Sequence, residues 1–241
     1  MSRCLPGLLV VAALGCSGSA NKEPSILRDV ECVREAEAIP PEVWEGEIEE
    51  YEAEDAARRP DPGALVFVGS SSIRFWETLS EDMAPMRALN RGFGGSVIAH
   101  STHYADRIIV PYEPSVIVMY AGDNDLAFGG VSPECALRDF EAFVEKVWKA
   151  VPGTAIYFIS IKPSPARWEI WDDIKRANAL IEARTKTRAL LEFIDISEAM
   201  LGENGEPDAS LYVADGLHLS DRGYEFWTSI VRPRLLNGFG N

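Results

Sequence analysis

The stretch SVIVMYAGDND, residues 115–125, decides the fold. It opens with an almost uninterrupted apolar run at 115–120, and such runs are typical of a short strand that is buried on both faces. The residues that follow, Ala-Gly-Asp-Asn-Asp at 121–125, are small or polar and poorly suited to burial. The stretch therefore predicts a central strand that ends abruptly in a polar loop.

The same pattern recurs before and after this strand, with longer helical periodicities in between. Further strands are predicted at residues 65–68, 87–90, 155–160 and 191–194. Helices are predicted at residues 72–83, 97–109, 133–150, 168–187 and 221–235. Strands that alternate with helices indicate a parallel, doubly wound sheet in a three-layer α/β/α sandwich. Sites in such sheets lie at the carboxyl ends of the strands, so the chemistry is expected in the loops there.

Length and composition limit the size and the partners of the protein. The chain has 241 residues, of which 46% are hydrophobic, and this is enough for one sizeable core. Its 38 acidic residues outnumber its 23 basic ones, which gives a formal net charge of −15. Because nucleic acids are bound mainly by clustered Lys and Arg, a nucleic-acid partner is excluded as a first expectation.

The N-terminal residues 1–20 have the pattern of an export signal. A basic start precedes an apolar segment that is too short to span a membrane, and the segment ends in Ala-Leu-Gly-Cys at 13–16. This ending resembles the box in which bacterial lipoproteins are lipidated. We expect lipid on Cys16, with ordinary cleavage after Ala20 as the alternative, and a tether at 21–40. Either way the mature protein is exported, and it meets a membrane only through this anchor.

Residues 41–59 predict an amphipathic helix at the start of a single domain, 41–241. Trp44, Ile48 and Tyr51 recur at spacings of four and three and share one face of this helix. Acidic residues occupy much of the remaining surface, which we interpret as a solvated face.

Four polar segments stand where chemistry is expected: 69–74, 90–96 and 121–125 at strand ends, and 215–218 before the last helix. A serine hydroxyl needs a base within hydrogen-bond reach, and the base needs an acceptor that holds it in the right tautomer. Ser71, His218 and Asp215 can supply these three groups.

A serine nucleophile also needs donors aimed at the oxyanion that develops during attack. Ser71 opens a helix and offers its own backbone N–H, Gly95 can bring its N–H close to a ligand, and Asn124 carries an amide NH₂. No G-x-S-x-G motif surrounds these serines, which disfavours the α/β-hydrolase fold.

These four segments, in this order, resemble the signature blocks of the SGNH hydrolases, also called the GDSL esterase and lipase family, over residues 63–235. The resemblance implies a flavodoxin-like sheet with strand order 2-1-3-4-5. It also implies roles for five residues: Ser71 as nucleophile, Gly95 and Asn124 as oxyanion donors beside the Ser71 N–H, and Asp215 and His218 as the remaining triad members. The sequence departs from the family at Ser70, where Asp is common.

Two further pairs of residues invite a binding or structural role. His100 and His103 have a metal-like spacing, but a zinc site needs three or four convergent ligands, so we expect helix packing and no metal. In an exported protein, Cys32 and Cys135 either form a disulfide or remain two independent thiols.

Residues 162–171 follow the fourth predicted strand and contain prolines, Arg167 and Trp168. This segment is either a stiffened loop packed on the next helix or a substrate contact. With Phe93, both Arg167 and Trp168 are the candidate substrate-binding residues.

The expected function is that of an exported serine esterase that forms an acyl-enzyme and needs no cofactor. Its substrate is expected to be a small-molecule or polysaccharide ester with a short acyl group. The alternative is a non-catalytic envelope lipoprotein that uses the fold to bind carbohydrate or a partner. The complete set of five functional positions favours the enzyme.

Overall fold

The computed structural model describes residues 39–128 and 130–239. Its centre is a five-stranded parallel sheet in the order β2-β1-β3-β4-β5. The strands are Leu65–Gly69 (β1), Ala88–Gly92 (β2), Val116–Tyr120 (β3), Ala155–Ile159 (β4) and Leu191–Ile194 (β5). The predicted α/β fold and its strand order are confirmed. The expected export signal, its Cys16 and nearly all of the tether lie outside the described residues.

Helices cover both faces of this sheet. They are Glu45–Ala57 (α1), Ser71–Arg74 (α2), Leu79–Asp82 (α3), Ile98–Ile108 (α4), Asp123–Phe128 (α5), Pro133–Ala150 (α6), Trp171–Thr185 (α7) and Asp221–Phe239 (α8). On one face Trp227 of α8 packs against Trp76 and Tyr120. On the other face Phe140 of α6 packs against Phe158 of β4, and α4 and α7 lie beside α6. Burial of these aromatic side chains is the main stabilising contribution to such a sandwich.

The register of the strands places the first three loops at one level. Gly69, the last residue of β1, lies opposite Gly92 of β2 on one side and Tyr120 of β3 on the other. A Cβ atom on Gly69 would lie 1.8 Å from the carbonyl oxygen of Tyr120, and the φ of Gly69 is +136°. Only glycine allows the strands to approach so closely at this point. The loops after β1, β2 and β3 therefore start side by side.

The helix expected at 72–83 is two short helices, α2 and α3. Asn90 of β2 donates a hydrogen bond of 2.6 Å from Nδ2 to the carbonyl oxygen of Ile73. In a continuing α-helix this carbonyl would accept a hydrogen bond from the N–H of residue 77. Because Asn90 occupies it, the chain turns after α2. Trp76 enters the core at this turn, where it is 1% exposed.

Other boundaries shift more modestly. A 3₁₀ turn at Pro165–Ile170 precedes α7, which begins three residues later than expected. The short helix α5 was not expected, because six residues carry too little periodicity to distinguish a helix from a loop. Helix α8 continues past Pro233 to Phe239.

The N-terminal segment Pro41–Trp44 is a 3₁₀ turn that leads into α1. Trp44 and Ile48 are buried on the predicted apolar face. Part of the acidic face is paired, since Arg107 of α4 bonds Glu45 and Glu52. Among the described residues, no helix combines the length and apolar character needed to cross a bilayer.

Candidate active site

Three side chains from distant parts of the chain meet at the end of β1. Ser71 begins α2, and its Oγ lies 2.9 Å from Nε2 of His218. Nδ1 of the same imidazole lies 2.6 Å from Oδ2 of Asp215. Because a carboxylate only accepts, it holds the proton on Nδ1 and leaves Nε2 ready to accept the hydroxyl proton. The structure thus brings together the three residues expected to form the triad.

The loop of Asp215 fixes this carboxylate. Its Oδ1 accepts hydrogen bonds from the backbone N–H groups of Leu217 (2.8 Å) and His218 (2.9 Å). Burial alone would raise the pKa of Asp215, but the hydrogen bonds from the His218 ring and these two N–H groups outweigh it and lower the pKa to about 2. Asp215 is therefore ionised whenever His218 is needed as a neutral base.

The expected oxyanion donors Gly95 and Asn124 follow β2 and β3, the two strands that flank β1. Gly95, in the loop after β2, is exposed and has a φ of +73°, with open space where a side chain would lie. Asn124, in the first turn of α5, donates from Nδ2 to the carbonyl oxygen of Ser96 at 2.9 Å. This bond joins the loop after β3 to the loop that carries Gly95, and so links two of the donor segments.

Arg167 lies next to Asn124 and is only 6% exposed. Its Nη2 donates to Asn124 Oδ1 at 2.7 Å, and its Nη1 lies 3.0 Å from Asp123 Oδ2. The same carboxylate oxygen accepts a hydrogen bond of 3.0 Å from Nζ of buried Lys162. Arg167 was expected among the substrate contacts; its guanidinium bonds Asn124 and pairs with Asp123, while Nη1 has no hydrogen-bond partner among the described residues.

Asp123 and Lys162 lie in the segments 121–125 and 162–171 that were expected at the site, but neither had been given a role there. Burial disfavours the charge of Asp123, yet the positive charges of Lys162 and Arg167 outweigh burial and hold the pKa of Asp123 below its usual value. Burial lowers the pKa of Lys162, and the charge of Asp123 opposes that effect. The position of Lys162 just after β4 is the one sequence signal that could have pointed to it.

The other two expected substrate contacts differ in their surroundings. Phe93 is completely buried, with its ring between Trp44 and Tyr104, so it supports the loop after β2 and offers no surface to a substrate. Trp168 is half-buried and stacks on Trp171, with ring centroids 5.5 Å apart. Residues 162–171 were expected to be either a loop packed on the next helix or a substrate contact. At Trp168 the segment is packed on α7 through Trp171.

Two aromatic rings beside the site are exposed: Phe128, which the sequence predicted as part of the substrate lining, and Phe75, which was not expected. Phe75 is 46% exposed, and its ring meets the imidazole of His218 edge to face. Phe128 is 62% exposed, and the guanidinium carbon of Arg167 lies 4.8 Å from its ring centroid. The spacing of four residues from Ser71 to Phe75 is the sequence signal that could have placed Phe75 there.

Helix α1 supports the loop that carries Gly95. Side chains of α1 and of the 3₁₀ turn before it bond the backbone of this loop and of the end of β2. Trp44 Nε1, in the turn, donates to Gly94 O (2.6 Å), Tyr51 Oη donates to Gly92 O, and Glu47 Oε2 accepts from Gly94 N–H (3.3 Å). Glu47 also pairs with Arg74 of α2. The N-terminal helix therefore restrains two segments of the candidate site.

His100 and Cys135, one residue from each of the pairs named in the sequence analysis, are buried and make contacts that hold the fold together. His100 Nδ1 accepts from the N–H of Val97 at 3.1 Å, and its Nε2 donates to Ile39 O at 2.8 Å, while burial lowers its pKa. Within 39–128 and 130–239, no three His, Cys, Asp or Glu residues are grouped as metal ligands. Cys135 is buried and disulfide-bonded. Cys32, one of its possible partners, lies outside the described residues.

The model of the GDSL-like Lipase/Acylhydrolase family matches residues 62–226 of the chain. No curated protein sequence matches the chain. Among solved structures, it is similar to a GDSL-like lipase from Bacteroides thetaiotaomicron VPI-5482, with a TM-score of 0.67 and 23% identity over 79% of this chain and 98% of that one.

Two family 3 carbohydrate esterases are also similar in structure. For that of Clostridium thermocellum the TM-score is 0.59, with 18% identity over 75% of this chain and 100% of that one. For that of Talaromyces cellulolyticus the TM-score is 0.56, with 15% identity over 72% and 97%. At these identities the likeness establishes a shared fold.

Proposed function

We propose that this chain, which belongs to the GDSL-like Lipase/Acylhydrolase family, is a serine esterase that cleaves carboxylic esters through an acyl-enzyme. The observation that carries the proposal is the hydrogen-bonded series from Asp215 through His218 to Ser71, with distances of 2.6 and 2.9 Å. A serine hydroxyl is a weak nucleophile until such a base takes its proton. Membership of an acylhydrolase family supports hydrolysis as the reaction class.

Acylation begins when His218 Nε2 takes the proton of Ser71 as Oγ forms a bond to the acyl carbon. The electron pair of the carbonyl moves to its oxygen and gives a tetrahedral intermediate. When the intermediate collapses, the bond to the alcohol oxygen breaks, and the imidazolium gives its proton to the departing alcohol. Asp215 remains ionised throughout and stabilises the imidazolium.

Deacylation repeats these steps with water. His218 takes a proton from a water molecule, the resulting hydroxide attacks the acyl carbon, and Ser71 recovers its proton as the carboxylic acid leaves. In both halves the N–H groups of Ser71 and Gly95 and the amide of Asn124 are the proposed oxyanion donors. Removal of one such donor typically lowers kcat by about 10² to 10³-fold.

The proposed substrates carry a short acyl group on a bulky polar alcohol such as a sugar. The site is open, because the side chains of His218 and Asp215 are 28% and 47% exposed. The exposed rings of Phe75 and Phe128 flank it, and aromatic faces pack well against the apolar faces of sugars. The likeness to two carbohydrate esterases favours the same substrate class.

The first test is hydrolysis of p-nitrophenyl acetate by purified protein. Ser71→Ala is expected to abolish both hydrolysis and labelling by a fluorophosphonate. Ser70→Ala is the matched control, since Ser70 is buried beside it and its Oγ has no hydrogen-bond partner among the described residues. A wild-type protein without activity, or labelling that persists in Ser71→Ala, would refute the proposal.

A further inference from the structure

The amide of Asn124 is held at both ends. Its Oδ1 accepts from Arg167 Nη2 at 2.7 Å, and its Nδ2 donates to Ser96 O at 2.9 Å. A flipped amide would place its NH₂ against the guanidinium and its oxygen against a carbonyl, and both contacts are repulsive. The orientation is therefore unique, and the second N–H of Nδ2 has one fixed direction.

The guanidinium that holds this amide is itself fixed. Asp123 Oδ2 lies 3.0 Å from Arg167 Nη1 and 3.0 Å from Lys162 Nζ, and the side chains of all three residues are at least nine-tenths buried. We call these three residues the Asp123 cluster. Asp123 therefore restrains the guanidinium that bonds Asn124.

In the proposed reaction the negative charge forms on the oxyanion, which the Asn124 amide contacts in the proposed oxyanion hole. The ring of Phe128 lies over the guanidinium of Arg167, with 4.8 Å between the guanidinium carbon and the ring centroid. This ring limits contact with water, and the lower local dielectric strengthens the hydrogen bond from the guanidinium to the amide.

We propose that Arg167 is a positioning residue of the oxyanion hole, which aims the Asn124 amide at the oxyanion by holding its Oδ1. The inference rests on the proposed esterase function and adds a role for the segment after β4. Lysine cannot replace Arg167, because one ammonium group lacks the planar fork that reaches Asp123 and Asn124 together.

The test uses Arg167→Met, which leaves the Lys162–Asp123 ion pair intact. We expect kcat for p-nitrophenyl acetate to fall by about 10 to 100-fold with KM within about 2-fold, since a small misplacement of a catalytic group has effects of this size. Arg167→Lys should lose at least 10-fold as well. The matched control is Arg184→Met, because Arg184 is equally buried and pairs with Glu141, between α7 and α6. Its kcat should stay within 2-fold of wild type.

A double-mutant cycle separates positioning from a general loss of structure. If Arg167 acts through Asn124, then Arg167→Met should change kcat by less than about 3-fold in an Asn124→Ala background, in which there is no amide to aim. Independent effects would multiply in the double variant.

Three outcomes would overturn the inference: full activity of Arg167→Met, full activity of Arg167→Lys, or multiplicative losses in the cycle. Each requires an active wild type that depends on Ser71. Loss of that dependence would instead refute the proposed function, so the two failures are distinguishable.

Discussion

The ring of Phe75 meets the imidazole of His218 edge to face, with centroids 5.2 Å apart and ring planes at 73°. In the proposed reaction His218 gives its proton to the departing alcohol, so the alcohol oxygen must lie within hydrogen-bond distance of this imidazole. A ring that contacts the imidazole and is 46% exposed is therefore placed to contact the alcohol.

Phe75→Ala is expected to raise KM for acetate esters of bulky alcohols by about 5-fold, because burial of half a phenyl ring contributes about 1 kcal/mol. For ethyl acetate, whose alcohol is small, the change should stay below 2-fold. Steady-state kinetics on an acetylated sugar and on ethyl acetate would measure both. Leu236→Ala, at a partly exposed residue of α8, serves as control. Equal changes for the two esters would show that Phe75 does not contact the alcohol.

Asn124→Asp is expected to lose at least as much kcat as Asn124→Ala, about 10²-fold or more, with little change in KM. Aspartate replaces the donor by an acceptor and adds negative charge where the oxyanion forms. Arg167 would pair with the new carboxylate and keep the fold intact, so circular dichroism should not change. Activity of Asn124→Asp equal to wild type would remove Asn124 from the oxyanion hole.

The sequence was sufficient to predict the sheet and the three residues that meet at the end of β1. Apolar runs such as 116–120 identify strands buried on both faces, and their alternation with helices allows essentially one architecture. Parallel strands end at one edge, so the polar segments around Ser71 and Asn124 had to converge. An Asp three residues before a His is a weak signal by itself, and Asp215 and His218 were recognisable because the four polar segments together resemble the SGNH signature blocks.

Local patterns could not predict contacts that depend on three-dimensional packing. The break between α2 and α3 is stabilised by Asn90, which belongs to the next strand. The pairing of Asp123 with Lys162 joins two separate strand ends. Phe93 was expected to contact the substrate from a polar loop, but Trp44, in the 3₁₀ turn before α1, packs against it.

The stability of the protein is expected to fall as the pH rises through neutrality, because of Asp125. This carboxyl is 1% exposed and accepts from the N–H of Ile98 at the start of α4. Burial, and secondarily the negative charge of Asp139, raises its pKa from 3.8 to about 7. Between these values the folded state binds the proton and the unfolded state does not, so the stabilisation is present at low pH and is lost as the pH rises towards 7.

Urea unfolding at pH 5 and pH 8 would measure this loss. The wild type should lose roughly 1 kcal/mol or more of unfolding free energy relative to Asp125→Asn between the two pH values, since a full pKa unit corresponds to about 1.4 kcal/mol. The asparagine keeps an acceptor for Ile98 and does not titrate. Parallel pH dependences for the two proteins would contradict the assignment.

The activity should be highest for short acyl chains. An enzyme that prefers long chains must bury many methylenes at about 0.8 kcal/mol each, which requires a deep apolar groove. The triad is instead partly exposed, since the side chains of His218 and Asp215 are 28% and 47% exposed. We therefore expect kcat/KM for p-nitrophenyl esters to be greatest at roughly two to four carbons and to fall steadily towards palmitate, since added methylenes remain in water. A maximum at about ten carbons or more would require an apolar acyl site and would make a lipid the better substrate.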